Sequence, residues 1–135
     1  STRLYLSGER ADQVAGLCAG TALDAAVLGD DPTAASAMKM VFAAWTKGSA
    51  ALLLALRETA RNYGVDEALV AQWSDSLPEL PARSEQARAS AAAKGWRWTG
   101  EMTEIAATFA AAGQPDGFHR AAAAVFADYP RPETG

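Results

Sequence analysis

Apolar residues recur at helical spacing through most of the chain, and the longest such stretch begins after Asp30-Asp31-Pro32-Thr33. An aspartate beside proline is a helix start signal: a carboxylate can accept free first-turn N–H groups, and proline supplies a helical φ. No strong stop follows until Asn62-Tyr63-Gly64, where glycine can take a left-handed cap conformation. The pattern therefore predicts one helix roughly 45 Å long at about 1.5 Å per residue. At about 100° per residue, Ser36, Lys39, Ala43, Thr46 and Ala50 share one narrow side. Met38, Phe42, Trp45 and Leu52 gather toward a bulkier one. Gly48 alone interrupts the run, at a cost of about 1 kcal/mol against alanine.

Around this element the chain reads in shorter pieces. Thr2-Arg3-Leu4-Tyr5-Leu6 alternates polar and apolar and predicts a short strand. Ser7-Gly8-Glu9 opens a helix to about Cys18, with Val14 and Leu17 inward and Gly20 ending it. Residues 22–29 fit either a further helical turn or a short extended piece. A short helix begins at Val65-Asp66-Glu67, with Asp66 as its cap and Leu69, Val70 and Trp73 as its apolar face. Residues 74–81, holding Pro78 and Pro81, form a loop. Residues 82–98 are helical and mostly solvated. A separate helix over 101–112 carries Met102, Ile105, Ala106 and Phe109 in one stripe, and a last helix covers 118–129. The fold class is all-α: a helical bundle around one long central helix, preceded by a single short N-terminal strand. A lone strand cannot satisfy its own backbone groups, which points to a sheet in a missing partner domain.

Composition narrows the picture. The chain has 135 residues, half of them hydrophobic and alanine the commonest, so its core must rest on close helix contacts. A net charge of −4 without a basic stripe argues against nucleic acid as a partner. The single Cys18 excludes an internal disulfide and predicts a buried thiol in a reducing, cytoplasmic compartment. No uninterrupted apolar run reaches the ~18–20 residues of a membrane helix, so no membrane partner is expected. Neither a signal peptide nor a repeat is visible, and a start at serine is compatible with excision from something longer.

Few residues carry chemistry. Between Ala34 and Trp45, Lys39 is the one charged side chain. It either buries its stem and lifts its ammonium into water, or serves as a partly desolvated proton donor and acceptor. Periodicity does not choose between the two. One histidine, His119, and one cysteine cannot make a metal site of ordinary ligand count. His119 near a helix start is more often a core or cap residue than a catalyst. Trp96-Arg97-Trp98 fits a stacking platform or core packing. No serine has a recognisable base, and Gly113-Gln114-Pro115-Asp116-Gly117 follows no strand, so it is not a phosphate loop.

Four segments nonetheless carry a family likeness: residues 2–8, Ala34-Ala35-Ser36-Ala37-Met38-Lys39-Met40, Ala44-Trp45-Thr46-Lys47-Gly48, and Gly100-Glu101-Met102-Thr103-Glu104-Ile105-Ala106. Together they resemble the C-terminal helical domain of the β-hydroxyacid dehydrogenase family, in its 6-phosphogluconate-dehydrogenase-like branch. The resemblance covers nearly the whole chain and implies an N-terminal Rossmann domain whose last strand is residues 1–7. Residues 8–129 would then be a helical substrate and dimerisation domain, and 130–135 a tail. It implies Lys39 as the catalytic lysine that moves the proton of a hydroxyl or carbonyl substrate. Ser36, Trp45, Thr46 and Glu101 are the substrate-pocket candidates, and a homodimer is expected. NAD or NADP would be held mainly by the domain absent from this chain, which has no glycine-rich fingerprint of its own. The chain is therefore expected to be an enzyme only as part of a longer NAD(P)-dependent oxidoreductase. Thr33, Ala35 and Phe42 stand where the family commonly has two glycines and an asparagine, and Gly100-Glu101 replaces a Lys-Asp pair. These departures imply a substrate other than the small hydroxy acids of better-known members, and no phosphate-binding cluster supports a sugar phosphate. The alternative is a noncatalytic helical dimerisation or binding module in which Lys39 only reaches solvent.

Overall fold

The computed structural model describes residues 2–133, and the chain divides into two compact units, Ser1–Phe42 and Ala43–Gly135. In the first unit the opening strand β1 (Thr2–Leu6) is followed by helix α1 (Ala11–Leu17) and a second strand, β2 (Leu23–Val27). The two strands pair in parallel, with Thr2 opposite Leu23 and Leu6 opposite Val27. This corrects the reading of a single strand: the ambiguous stretch 22–29 is extended, and it pairs with β1 through a short helical crossover. Arg3 and Asp24 face each other in the register and close an ion pair at 2.9 Å. Val14 and Leu17 are exposed rather than inward, Leu17 at 80%. Cys18 is half-buried rather than buried. Two paired strands offer too little surface to cover them.

The helix predicted from its capping signals is α2 (Ala34–Asn62), which starts in the first unit and continues into the second. Asp31 does not cap it directly. Its carboxylate accepts from the Thr33 backbone N–H at 2.9 Å and from the Thr33 hydroxyl at 2.8 Å, making a turn before the helix. These bonds hold the Asp31 carboxyl below the usual carboxylate range. The first-turn N–H of Ala35 is satisfied from a distance, donating to Ser7 Oγ at 3.0 Å. Ser7 follows the last residue of β1, so one hydroxyl joins the end of a strand to the start of a helix. At the other end Gly64 takes φ +70°, as the stop signal requires.

In the second unit, α2 is joined by α3 (Asp66–Ser76), α4 (Leu80–Ala111) and α5 (Gly117–Phe126). The two helices expected over 82–98 and 101–112 are one, because Gly95 and Gly100 interrupt nothing that packing does not restore. Its first half is mostly solvated, as expected, with Ser84, Ala87, Ala91 and Gly95 forming the one buried stripe. α5 folds back along the end of α4: Phe109 meets His119 at 4.8 Å and Trp98 meets Phe126 edge-on at 5.0 Å. The core is Leu53, Leu54, Trp73, Met102, Ile105 and Phe126, with alanines between them. Small residues let the helices approach closely. At Gly95 an added Cβ would stand 3.0 Å from Tyr129 Cβ.

Arg57 ties three helices together. It donates to both carboxylate oxygens of Asp66 at 2.7 and 3.0 Å, to Ser84 Oγ at 2.8 Å and to Glu85 at 3.1 Å. Asp66 is thus the first residue of α3 and an ion-pair partner; it makes no capping bond. The Arg57 hydrogen bonds hold the Asp66 carboxyl below its ordinary range. A carboxyl whose folded value is depressed stabilises the fold above its unfolded value, about 4, and loses that contribution as pH falls through the folded value. The thermal midpoint followed by circular dichroism is therefore expected to drop on acidification below about pH 4. The drop should be shallower in Asp66→Asn, and an equal slope in both proteins would remove Asp66 from the account.

By length and composition α2 is apolar enough to cross a membrane, which the run-by-run reading missed because isolated charges break a run without removing its apolar character. Core helices pass the same test. Ala51, Leu53 and Leu54 of α2 are buried within the second unit.

Candidate functional site

Ser36 and Lys39 both lie on α2 in the first unit, and both are exposed. Lys39 is one turn beyond Ala35, about 6 Å along the helix from the N–H that Ser7 accepts. Ser7 stands just past the carboxyl end of β1, the end at which open parallel sheets bind ligands. The backbone of Lys39 thus stands one helical turn from the bond that links α2 to the carboxyl end of β1.

The remaining candidates belong to the second unit and separate into two grooves. Trp45, 68% exposed, lines the larger one, of about 740 Å³. Its walls are almost wholly apolar, with Leu52, Leu56, Phe118 and Val125 among them and His119 beneath; Arg83, its one formally charged lining residue, is shared with the smaller groove. Thr46 lines the smaller groove, of about 220 Å³, together with Lys47, Arg83, Gln86, Ser90 and Trp98. Glu101 is half-buried and bonded to Lys47 Nζ at 2.6 Å. The structure thus gathers Thr46 and Glu101 around Lys47 and sends Trp45 elsewhere.

Lys47 is the residue that sequence reasoning missed. Its partner is 54 positions away, beyond any helical period. Its ammonium also lies 5.6 Å from the centre of the Trp98 ring. Trp98 is packed against Phe126, whereas Trp96 stacks with Arg97 at 5.3 Å and Arg131 at 4.9 Å. The packing and stacking readings of that dense segment are therefore each realised, by different tryptophans. His119 is buried, with Nε2 at 3.0 Å from the Ala44 carbonyl oxygen. In the neutral ring that bond makes Nε2 the donor and leaves Nδ1 bare, and Nδ1 has no hydrogen-bond partner. Among the described residues no group of three or more His, Cys, Asp or Glu side chains is placed to hold a metal ion.

A family model described as a domain of unknown function, DUF1932, matches residues 60–129, slightly more than half of the chain. The chain belongs to the DUF1932 family. The matched segment of this DUF1932 domain runs from the end of α2 through α5 and so lies C-terminal to Lys39. Among solved structures, a conserved hypothetical protein from Sinorhizobium meliloti 1021 is 29% identical, with a TM-score of 0.79 over 91% of this chain. The conserved protein MTH1747, of unknown function and described as structurally similar to 3-hydroxyacid dehydrogenases, is 23% identical with a TM-score of 0.78 over 94% of it. The chain spans 42% and 49% of those two proteins, less than half of either. No curated protein matches it.

Proposed function

We propose that this DUF1932 domain is the C-terminal substrate-binding and dimerisation part of an NAD(P)-dependent oxidoreductase acting on a hydroxy acid or a related alcohol or carbonyl compound. The observation that carries the reading is the position of Lys39, one helical turn from the Ser7 link at the carboxyl end of a parallel strand pair. Two parallel strands are marginal alone, and parallel sheets ordinarily have both faces covered, so β1 and β2 fit the edge of a larger sheet. A dinucleotide does not fit the residues present: the β1–α1 turn holds one glycine, Gly8, and no glycine-rich fingerprint. Hydride chemistry belongs to the N-terminal nucleotide domain. This chain contributes Lys39 Nζ, which gives a proton to a substrate carbonyl oxygen in reduction and regains one from the hydroxyl in oxidation. Cover by that domain would also supply the desolvation that an exposed lysine lacks.

Full-length protein assayed for NAD(P)H oxidation over a panel of 2- and 3-oxo acids is expected to turn over at least one of them. No turnover across the panel, with cofactor binding intact, would favour the noncatalytic module.

The apolar face of the second unit supports the homodimer. Leu52 is 61% and Phe118 69% exposed on one groove, more large apolar surface than an isolated face ordinarily leaves to water. Leu52→Glu combined with Phe118→Glu is expected to shift the protein from dimer to monomer in sedimentation velocity, with helical content unchanged. A dimer that survives both charges would exclude this face.

A further inference from the structure

We propose that the smaller groove, between α2 and the first half of α4, is a binding site for a small monocarboxylate with an apolar body, received by Arg83. The groove is about 220 Å³, below the roughly 300–1,000 Å³ of sites for drug-sized ligands, which suits a metabolite-sized acid better than a nucleotide. Its base is apolar, formed by buried Leu53 and Ala87, and the Trp98 ring stands at one side. Phe126, packed edge-on against Trp98 at 5.0 Å, fixes that ring in place, so the surface it offers is preorganised.

Charge selects the ligand. Two cations line the groove, but the Lys47 ammonium is already matched by Glu101 at 2.6 Å. Arg83 has no ion-pair partner among the described residues, leaving one uncompensated positive charge. A monoanion balances it, whereas a phosphate dianion leaves a negative excess next to Glu101. The planar guanidinium matches a carboxylate with two parallel hydrogen bonds, a geometry an ammonium cannot copy. Gln86 and Ser90, on the same helix one and two turns beyond Arg83, add an amide and a hydroxyl for a second polar substituent on the acid. The site stands whatever the role of Lys39.

The test is isothermal titration of the full-length protein with 3-phenylpropionate, set against 3-phenylpropanol and inorganic phosphate. The acid is expected to bind saturably and at least about tenfold more tightly than the alcohol or phosphate. Arg83→Gln, a change at an exposed position, should bring the acid down to the alcohol's affinity while the thermal midpoint stays put. Ser90→Leu should fill the groove and abolish binding of both. Equal affinity for acid and alcohol, competition by phosphate at equal concentration, undiminished binding in Arg83→Gln, or no binding at millimolar acid would each overturn the proposal.

Discussion

Replacing Lys39 by alanine in the full-length protein is expected to lower kcat by about 10²–10⁴-fold on whichever oxo acid is turned over. KM should change far less. An ammonium that delivers a proton as charge develops on the carbonyl oxygen acts mainly in the transition state, and removing such an interaction lowers kcat and kcat/KM together. The side chain is exposed and makes no contact that holds the fold, so its loss should leave the melting temperature unchanged. Lys39→Arg is the sharper control. It keeps the charge but cannot release a proton near neutral pH, so it should stay as impaired as alanine if proton transfer is the role. Recovery with arginine would reduce Lys39 to electrostatic binding of substrate. Turnover unaffected by either change would remove it from the chemistry altogether.

The second large effect concerns Gly48. In a helix interior Gly→Ala ordinarily stabilises by about 1 kcal/mol. Here an added Cβ would lie 2.8 Å from His119 Nε2, closer than any real Cβ contact, and the ring is held there by the Ala44 carbonyl. The imidazole is not the free end of a flexible chain. It is buried and packed against Phe109. Gly48→Ala is therefore expected to destabilise the second unit by about 2–3 kcal/mol, from overpacking and the weakened hydrogen bond. In a His119→Ala background the sign should reverse, leaving the bare propensity gain of about 1 kcal/mol. Urea denaturation of the four proteins of this cycle measures the reversal. A Gly48→Ala protein as stable as the parent in both backgrounds would mean that the ring and the glycine are not coupled.

That pair shows how a local feature changes meaning with the fold. Along the sequence Gly48 is a weak interruption and His119 a residue near a helix start. In space the glycine is a notch that admits the ring, and neither residue's neighbours along the chain carry a trace of the other. The ion pair of Lys47 with Glu101 and the four-part junction at Arg57 are the same kind of fact. Their partners are set by which helices lie side by side, and helical periodicity gives only the face on which each residue sits. Glu101 was legible as a polar residue of interest, but its partner was not, so its role as the counter-charge of Lys47 could come only from the packed structure.

What the sequence determined by itself was local: where α2 begins and ends, the predominance of helix, and the buried stripe of Met102, Ile105 and Ala106. Those features follow from backbone sterics, capping chemistry and a 3.6-residue repeat, all of which act within a few residues. The tertiary structure decided what depends on distant neighbours. It turned the ambiguous stretch 22–29 into β2, because a strand exists only when another strand is there to pair with it. It fused two expected helices into α4, because burial against α5 outweighs the cost of Gly95 and Gly100. It left Val14, Leu17 and the bulky side of α2 exposed, since an apolar residue is buried only where some other element arrives to cover it.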